Sequence, residues 1–132
     1  MRKHARQRSV SQKGEQMQLF AWDKVKKDVM SEKIWRKFIT GEKAMMAELH
    51  MTKGAIVPTH HHESEQLTYV LEGALRIDHD GKQTVIHKGE VLVIPSNIPH
   101  EGHALENTVT LEIFSPIRTD WLTGQDDYLR KK

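Results

Sequence analysis

The chain has 132 residues, 37% of them hydrophobic and 29% charged, with a formal net charge of +2 and no cysteine. That length suits one domain around a single core, and no apolar run reaches the length of a membrane span. Without a thiol there are no disulfides, thiolate metal sites or cysteine nucleophiles, so any metal must be held by nitrogen and oxygen.

The basic N-terminus is not followed by the apolar stretch of a secretory signal, and the expected compartment is the cytoplasm. Residues 1–16 carry Arg2, Lys3, Arg6, Arg8 and Lys13 against Glu15 alone. This segment reads as a disordered basic arm ahead of a single domain over residues 17–132. It has no interleaved aromatics and no adjoining nucleic-acid fold signature, so no nucleic-acid partner is expected.

Trp22 to Ser31 is mixed in pattern, a short helical turn or an extended lead-in. From residue 34 onward, short apolar runs alternate with turn signals, as in a sandwich or barrel. "IWRKFIT" ends at Gly41, and "KAMMAELHM" alternates with period two before Gly54. "EQLTYVLEG" closes on Gly73, and "ALRIDHD" runs into the hairpin signal Asp80-Gly81. "QTVIH" leads to Lys88-Gly89, "VLVIP" stops at Pro95, and "VTLEIF" stops at Ser115-Pro116. The runs are too short for helices and the breakers fall between them, so the fold class is all-β with Greek-key connections. The tail "TDWLTGQDDYLRKK" offers Trp121, Leu122, Tyr128 and Leu129 as anchors. It is expected to pack on the outside of the barrel or against a second subunit.

The stretch "THHHESEQLTYVLEG" opens with three consecutive histidines. Residues i and i+2 of a strand share a face, so His60 and His62 can aim together into a barrel while His61 points away. Gln66, Thr68 and Val70 share one face of the next strand, with Leu67, Tyr69 and Leu71 on the other. His100 follows Pro95 and Pro99 on a tight connection. Three imidazoles and an amide oxygen suit a divalent transition metal, and such an uncharged set leaves the ion its full charge for Lewis-acid work. His4, His50, His79 and His87 read as surface or structural residues, and His61 and His103 as solvent-facing or supporting.

These spacings resemble those of the cupins. Gly54, five residues, His60-His61-His62, three residues, Gln66, six residues and Gly73 follow the first cupin motif. Gly89, five residues, Pro95, Asn97 in place of a glycine, and His100 follow the second. The resemblance implies a jelly-roll barrel (the double-stranded β-helix) with its defining motifs over about residues 54–104. It also implies one metal ion (Ni, Mn, Fe, Zn or Co) on His60, His62, Gln66 and His100, and a homodimer. Asn tolerates positive φ, so the turn at Asn97 should survive. Gln66 stands where glutamate is commoner.

A narrower resemblance lies in "LEIFSPIRTDWL", which is similar to the last strand of KdgF-like pectin-degradation cupins. Those proteins open the ring of 4,5-unsaturated uronates. Carried over by motif, Glu112 moves a proton, Phe114 shapes the pocket, and Arg118 grips a substrate carboxylate with paired hydrogen bonds. Glu112 is one methylene longer than the usual aspartate. Phe114 read simply is core, and Arg118 is a partner for Asp120. The function implied is metal-assisted proton transfer on a small anionic sugar acid or a related hydroxy- or keto-acid. The alternatives are a quercetinase- or acireductone-type dioxygenase and a non-catalytic metabolite-binding cupin.

Overall fold

The computed structural model describes residues 8, 9 and 16–130; the arm expected over residues 1–16 falls, apart from residues 8, 9 and 16, outside the described residues. Among the described residues there are twelve strands. They are β1 (Arg8–Ser9), β2 (Gln18–Leu19), β3 (Asp28–Val29), β4 (Ile34–Thr40), β5 (Met45–Met51) and β6 (Ile56–His60), followed by β7 (Glu65–Glu72), β8 (Ala74–His79), β9 (Lys82–His87), β10 (Val91–Ile94), β11 (His100–Ala104) and β12 (Thr108–Ser115). A one-turn helix, α1 (Thr119–Thr123), and a 3₁₀ turn at Asp127–Leu129 form the tail. The lead-in is both of its alternatives, a 3₁₀ turn at Trp22–Lys24 and then β3. No helix among the described residues is long and apolar enough to cross a membrane.

The strands form a six-stranded sheet ordered β10-β7-β12-β5-β4-β3 and a four-stranded sheet ordered β6-β11-β8-β9, with β1 and β2 as a separate pair. Every strand expected from the period-two runs is there, in the antiparallel jelly roll. Alternation explains the packing: β4, β5 and β12 bury every second residue, which turns Ile34, Phe38, Met45, Ala47, Leu49 and Phe114 into one core. Asp80 and Gly81 both take positive φ, 50° and 72°, as a two-residue hairpin turn requires. Asn97 sits at φ 62°, so it stands in for the missing glycine as expected.

Besides the short β1–β2 pair, two strands of the four-stranded sheet escaped the sequence reading. β6 contains Pro58, which a strand tolerates only where its missing N–H faces no partner; β6 is an edge strand, paired on one side with β11. β11 is the polar stretch "HEGHA", so His100 begins a strand rather than lying on a connection.

The tail departs further from expectation. Trp121 and Leu129 are buried members of the core, and of the four anchors only Leu122 is exposed. The ring of Trp121 meets Phe38 and Phe114 edge-on at centroid separations of 5.4 and 5.2 Å. Asp126, fully buried, accepts a hydrogen bond from Nη2 of the equally buried Arg36 at 2.6 Å. The tail therefore helps to fill the barrel instead of lying on its outside.

Candidate functional site

The inward face of β7 presents Gln66, Thr68 and Val70, and that of β12 presents Thr108, Thr110, Glu112 and Phe114; all are buried. Polar side chains inside a barrel cost free energy unless each finds a partner, so this end of the interior is specialised. Into the same space come His60 from the end of β6 and His100 from the start of β11, which are direct Cα partners across that strand pair. His62 lies just beyond the end of β6, so the reach expected from strand alternation is supplied by a turn. Backbone bonds hold that turn against the second motif, with Asn97 N–H donating to His62 O at 2.8 Å and Ser96 Oγ to Glu63 O at 2.7 Å.

The three rings converge. Centroid separations are 4.4 Å for His60 and His100, and 5.3 Å for His62 with either. One ligand atom from each lies within 4.8 Å of the others. Their protonation is dictated by the backbone. Nδ1 of His60 donates to Pro58 O at 2.9 Å, Nδ1 of His62 to Ser64 O at 2.9 Å, and Nδ1 of His100 to Ile98 O at 2.8 Å. A neutral imidazole carries one proton, so each Nε2 is left with a bare lone pair.

Burial keeps the rings neutral. It depresses the pKa of His60 to about 3, helped by nearby His100 and Arg118. It depresses His62 to about 4, helped by Arg118 and His100, and lowers His100 as well. The buried Nε2 of His100 has no hydrogen-bond partner. Gln66 completes the set, its Oε1 lying 3.0 Å from His62 Nε2. Two lone pairs facing each other at that distance repel unless something positive lies between them. Four such donors, three of them with their other nitrogen fixed by a carbonyl, fit a divalent transition metal well.

Behind this set, Glu112 is buried. Its Oε1 accepts from Gln66 Nε2 at 2.9 Å and Thr68 Oγ1 at 2.6 Å, and its Oε2 accepts from Thr110 Oγ1 at 2.7 Å. Burial raises its pKa, against the pull of those donors. Phe114, opposite Gln66 across the β7–β12 pair, is both core and wall, with its ring edge-on to His62.

Arg118 is not a free clamp. Its Nε and Nη2 donate to Asp120 at 2.9 and 2.8 Å, and Nη2 also donates to the Tyr128 hydroxyl. This is the simpler pairing that the sequence allowed, and it leaves Nη1 as the edge available to a ligand. Burial opposes the charge of Arg118, but Asp120 and Tyr128 outweigh it and raise the pKa.

Sequence reasoning missed Tyr128 as a site residue. Its ring lies 4.6 Å from that of His60, and it lines the same cavity as His60, Gln66, His100, Glu112 and Arg118. Its only signal was its apolar body in the tail. The remaining histidines among the described residues behave as read. His50 stacks on Trp35 at 3.7 Å, His79 bonds Thr84, and His61 and His87 are exposed. His103 pairs with Glu101 and Asp78 away from the cavity, while His4 lies outside the described residues.

Comparison with known proteins agrees with this architecture. The pectin degradation protein KdgF of Dickeya dadantii (strain 3937) is 31% identical over 106 residues, which cover 78% of this chain and 96% of that protein. The structure of KdgF from Halomonas sp. superposes with a TM-score of 0.70 at 27% identity, covering 75% of this chain and 94% of that one. An RmlC-like cupin from Shewanella frigidimarina superposes equally well, TM-score 0.70, at 23% identity over 75% of this chain and 90% of its own, a likeness of fold. The model of the cupin domain matches residues 47–115, from β5 through β12 and hence across every histidine of the convergent set. The chain belongs to the cupin domain family.

Proposed function

We propose that this cupin is a mononuclear metal enzyme that moves a proton on a small anionic sugar acid, as in ring opening of a 4,5-unsaturated uronate. The observation that carries the reading is the convergence of three bare Nε2 lone pairs and the Gln66 carbonyl oxygen, with each histidine tautomer fixed by a backbone carbonyl. His60, His62, His100 and Gln66 would hold a divalent ion, which when bound supplies Lewis acidity toward a substrate hydroxyl or carbonyl oxygen.

The chain's own residues supply the rest. Arg118 keeps a guanidinium edge beside the histidines to attract a carboxylate, with Asp120 fixing its plane. Phe114 and Trp121 exclude water from one wall. Burial raises the pKa of Glu112, which favours uptake of a proton by its carboxylate, the exchange asked of a general base. The likeness to KdgF over most of both chains supports the substrate class.

Metal analysis of untagged protein, together with His62→Ala and His100→Ala, tests the site. One equivalent in the wild type and its loss in both variants is expected. A metal-free wild type, or variants that keep their metal, overturns the reading. Incubating metal-loaded protein with unsaturated galacturonate should abolish the alkene absorbance without oxygen uptake. Oxygen consumption would instead mark a dioxygenase.

A further inference from the structure

Gln66 is an amide whose two ends are nearly equal in size, so shape alone does not decide which end faces the histidines. The neighbours decide it. On one side lie Glu112 Oε1 and Thr68 Oγ1, each 2.9 Å from Gln66 Nε2. Glu112 Oε1 takes the Thr68 hydrogen, and a carboxyl oxygen that carries no proton of its own only accepts hydrogen bonds. The Thr68 hydroxyl spends its single hydrogen on Glu112 Oε1, so it too offers Gln66 only a lone pair. Two acceptors on that side require the NH₂ end and leave Oε1 for the histidines. We propose that Glu112 is a positioning residue that orients the Gln66 amide so that its oxygen, not its NH₂, is presented to the three histidines. The inference rests on reading those four residues as a metal site.

Its consequence is chemical. A reversed amide would donate an N–H to His62 Nε2 and cap the lone pair that a metal needs. Glu112 forbids that state, because reversal would set Gln66 Oε1 against a buried carboxylate and a buried acceptor hydroxyl. Glu112 is itself held on both oxygens: Thr68 is its Cα partner on β7, and Thr110 donates to Oε2. On the other flank its Cα partner is the fully buried Ala47, whose methyl leaves room for the carboxylate.

The same geometry accounts for the amide at position 66. A glutamate there would bring two carboxylates to hydrogen-bond distance, where the like charges destabilise each other unless one takes up a proton. The site therefore selects Gln66 through Glu112, although a carboxylate is intrinsically the stronger ligand.

Titration of metal-free full-length protein with Ni²⁺ by calorimetry tests this without reference to turnover. Gln66→Glu is expected to weaken Ni²⁺ binding about tenfold or more, despite the added negative charge. The double variant Gln66→Glu with Glu112→Gln exchanges donor and acceptor: the carboxamide placed at 112 donates to the carboxylate placed at 66, and affinity returns. Turnover does not return with it, because a carboxamide at 112 carries no transferable proton. Ni²⁺ binding by Gln66→Glu as tight as wild type, or a double variant no better than the single, overturns the inference and leaves the metal site standing. A wild type that binds no Ni²⁺ removes the site reading and this inference together.

The wild type gives a second readout. The side-chain NH₂ protons of ¹⁵N-labelled Gln66 should stay protected from solvent exchange before and after Zn²⁺ loading. A change in that protection on Zn²⁺ loading would show that the amide turns over to bind, so that its NH₂ had faced the histidines, and would refute the assignment.

Discussion

Thr110 makes one contact that matters, the 2.7 Å hydrogen bond from its hydroxyl to Glu112 Oε2. Replacing it with valine keeps the shape and leaves a buried carboxylate oxygen unpartnered, a loss of about 1–3 kcal/mol. Urea unfolding should show that loss; a Thr110→Val midpoint equal to wild type would mean that the carboxylate finds another donor. Gly73 is demanding for a steric reason. It sits at φ +86°, and a Cβ there would lie 2.3 Å from the Asn107 carbonyl oxygen and 2.8 Å from Thr108 Cα. Both obstacles are backbone, so Gly73→Ala should cost several kcal/mol, on the order of the largest single-residue effects. Individual residues were legible where a period or a motif exposed them. Period two put Gln66 and Thr68 on one face, motif spacing singled out His60, His62 and His100, and the resemblance of the last strand pointed to Glu112 and Phe114. The bond between Gln66 and Glu112 was not legible, because it joins residues 46 apart through a register that neither strand encodes alone.

The tail shows what happens at the scale of elements. Residues 119–130 form only one helical turn and one 3₁₀ turn, far too little to be stable by themselves. Their position comes from Trp121 and Leu129 in the core, Tyr128 on Arg118, and a charge network in which Asp126 takes bonds from Arg36 and Arg130 while Asp28 takes bonds from the same two arginines. Asp126→Ala leaves the guanidinium of Arg36 buried without that partner, which costs about 3–5 kcal/mol. Amide exchange over 119–130 should then accelerate well before that of β4 and β5. Acid should release the same contacts. Burial resists ionisation of Asp28, but Arg36 and Arg130 hold its pKa below 3.8, and Arg118 does the same for Asp120 against its own burial. Because the folded values lie below the unfolded 3.8, this stabilisation is complete well above that value and fades as pH approaches it and falls through the folded values. Exchange rates of the tail, corrected for intrinsic chemistry, should be flat from about pH 7 to about 4.5 and rise below that; a rise near pH 6 would point to other groups. None of this network was visible in sequence, because it joins residues 90 and 102 positions apart that belong to no motif. β6 and β11 were hidden for a different reason, since a proline and a run of polar residues erase the apolar period that marks a strand.

At the scale of the molecule, the donors come from both layers. His60 ends β6 and His100 begins β11 in the four-stranded sheet, His62 follows β6 on the turn, and Gln66 stands on β7 in the six-stranded sheet. An ion held by all four therefore ties the two sheets together, and unfolding cannot separate the sheets without releasing it. Binding to the folded state alone stabilises by about 2.7 kcal/mol at a hundredfold excess of free metal over Kd. For a domain of this size that is on the order of 10 °C in Tm. Stripping the metal with a chelator should lower Tm by that order in one cooperative transition, and adding Ni²⁺ or Zn²⁺ should restore it. His100→Ala should remove the metal-dependent part of Tm, because its Nε2 is the buried donor with no protein partner. Asp78, Glu101 and His103 also bring potential ligand atoms together, but all within the four-stranded sheet, where Arg76 already holds Asp78. An ion there would clamp nothing across the barrel. His103→Ala should therefore leave the metal-dependent shift intact; if it removes the shift while His100→Ala keeps it, the metal sits on the outer cluster and the barrel interior has another use.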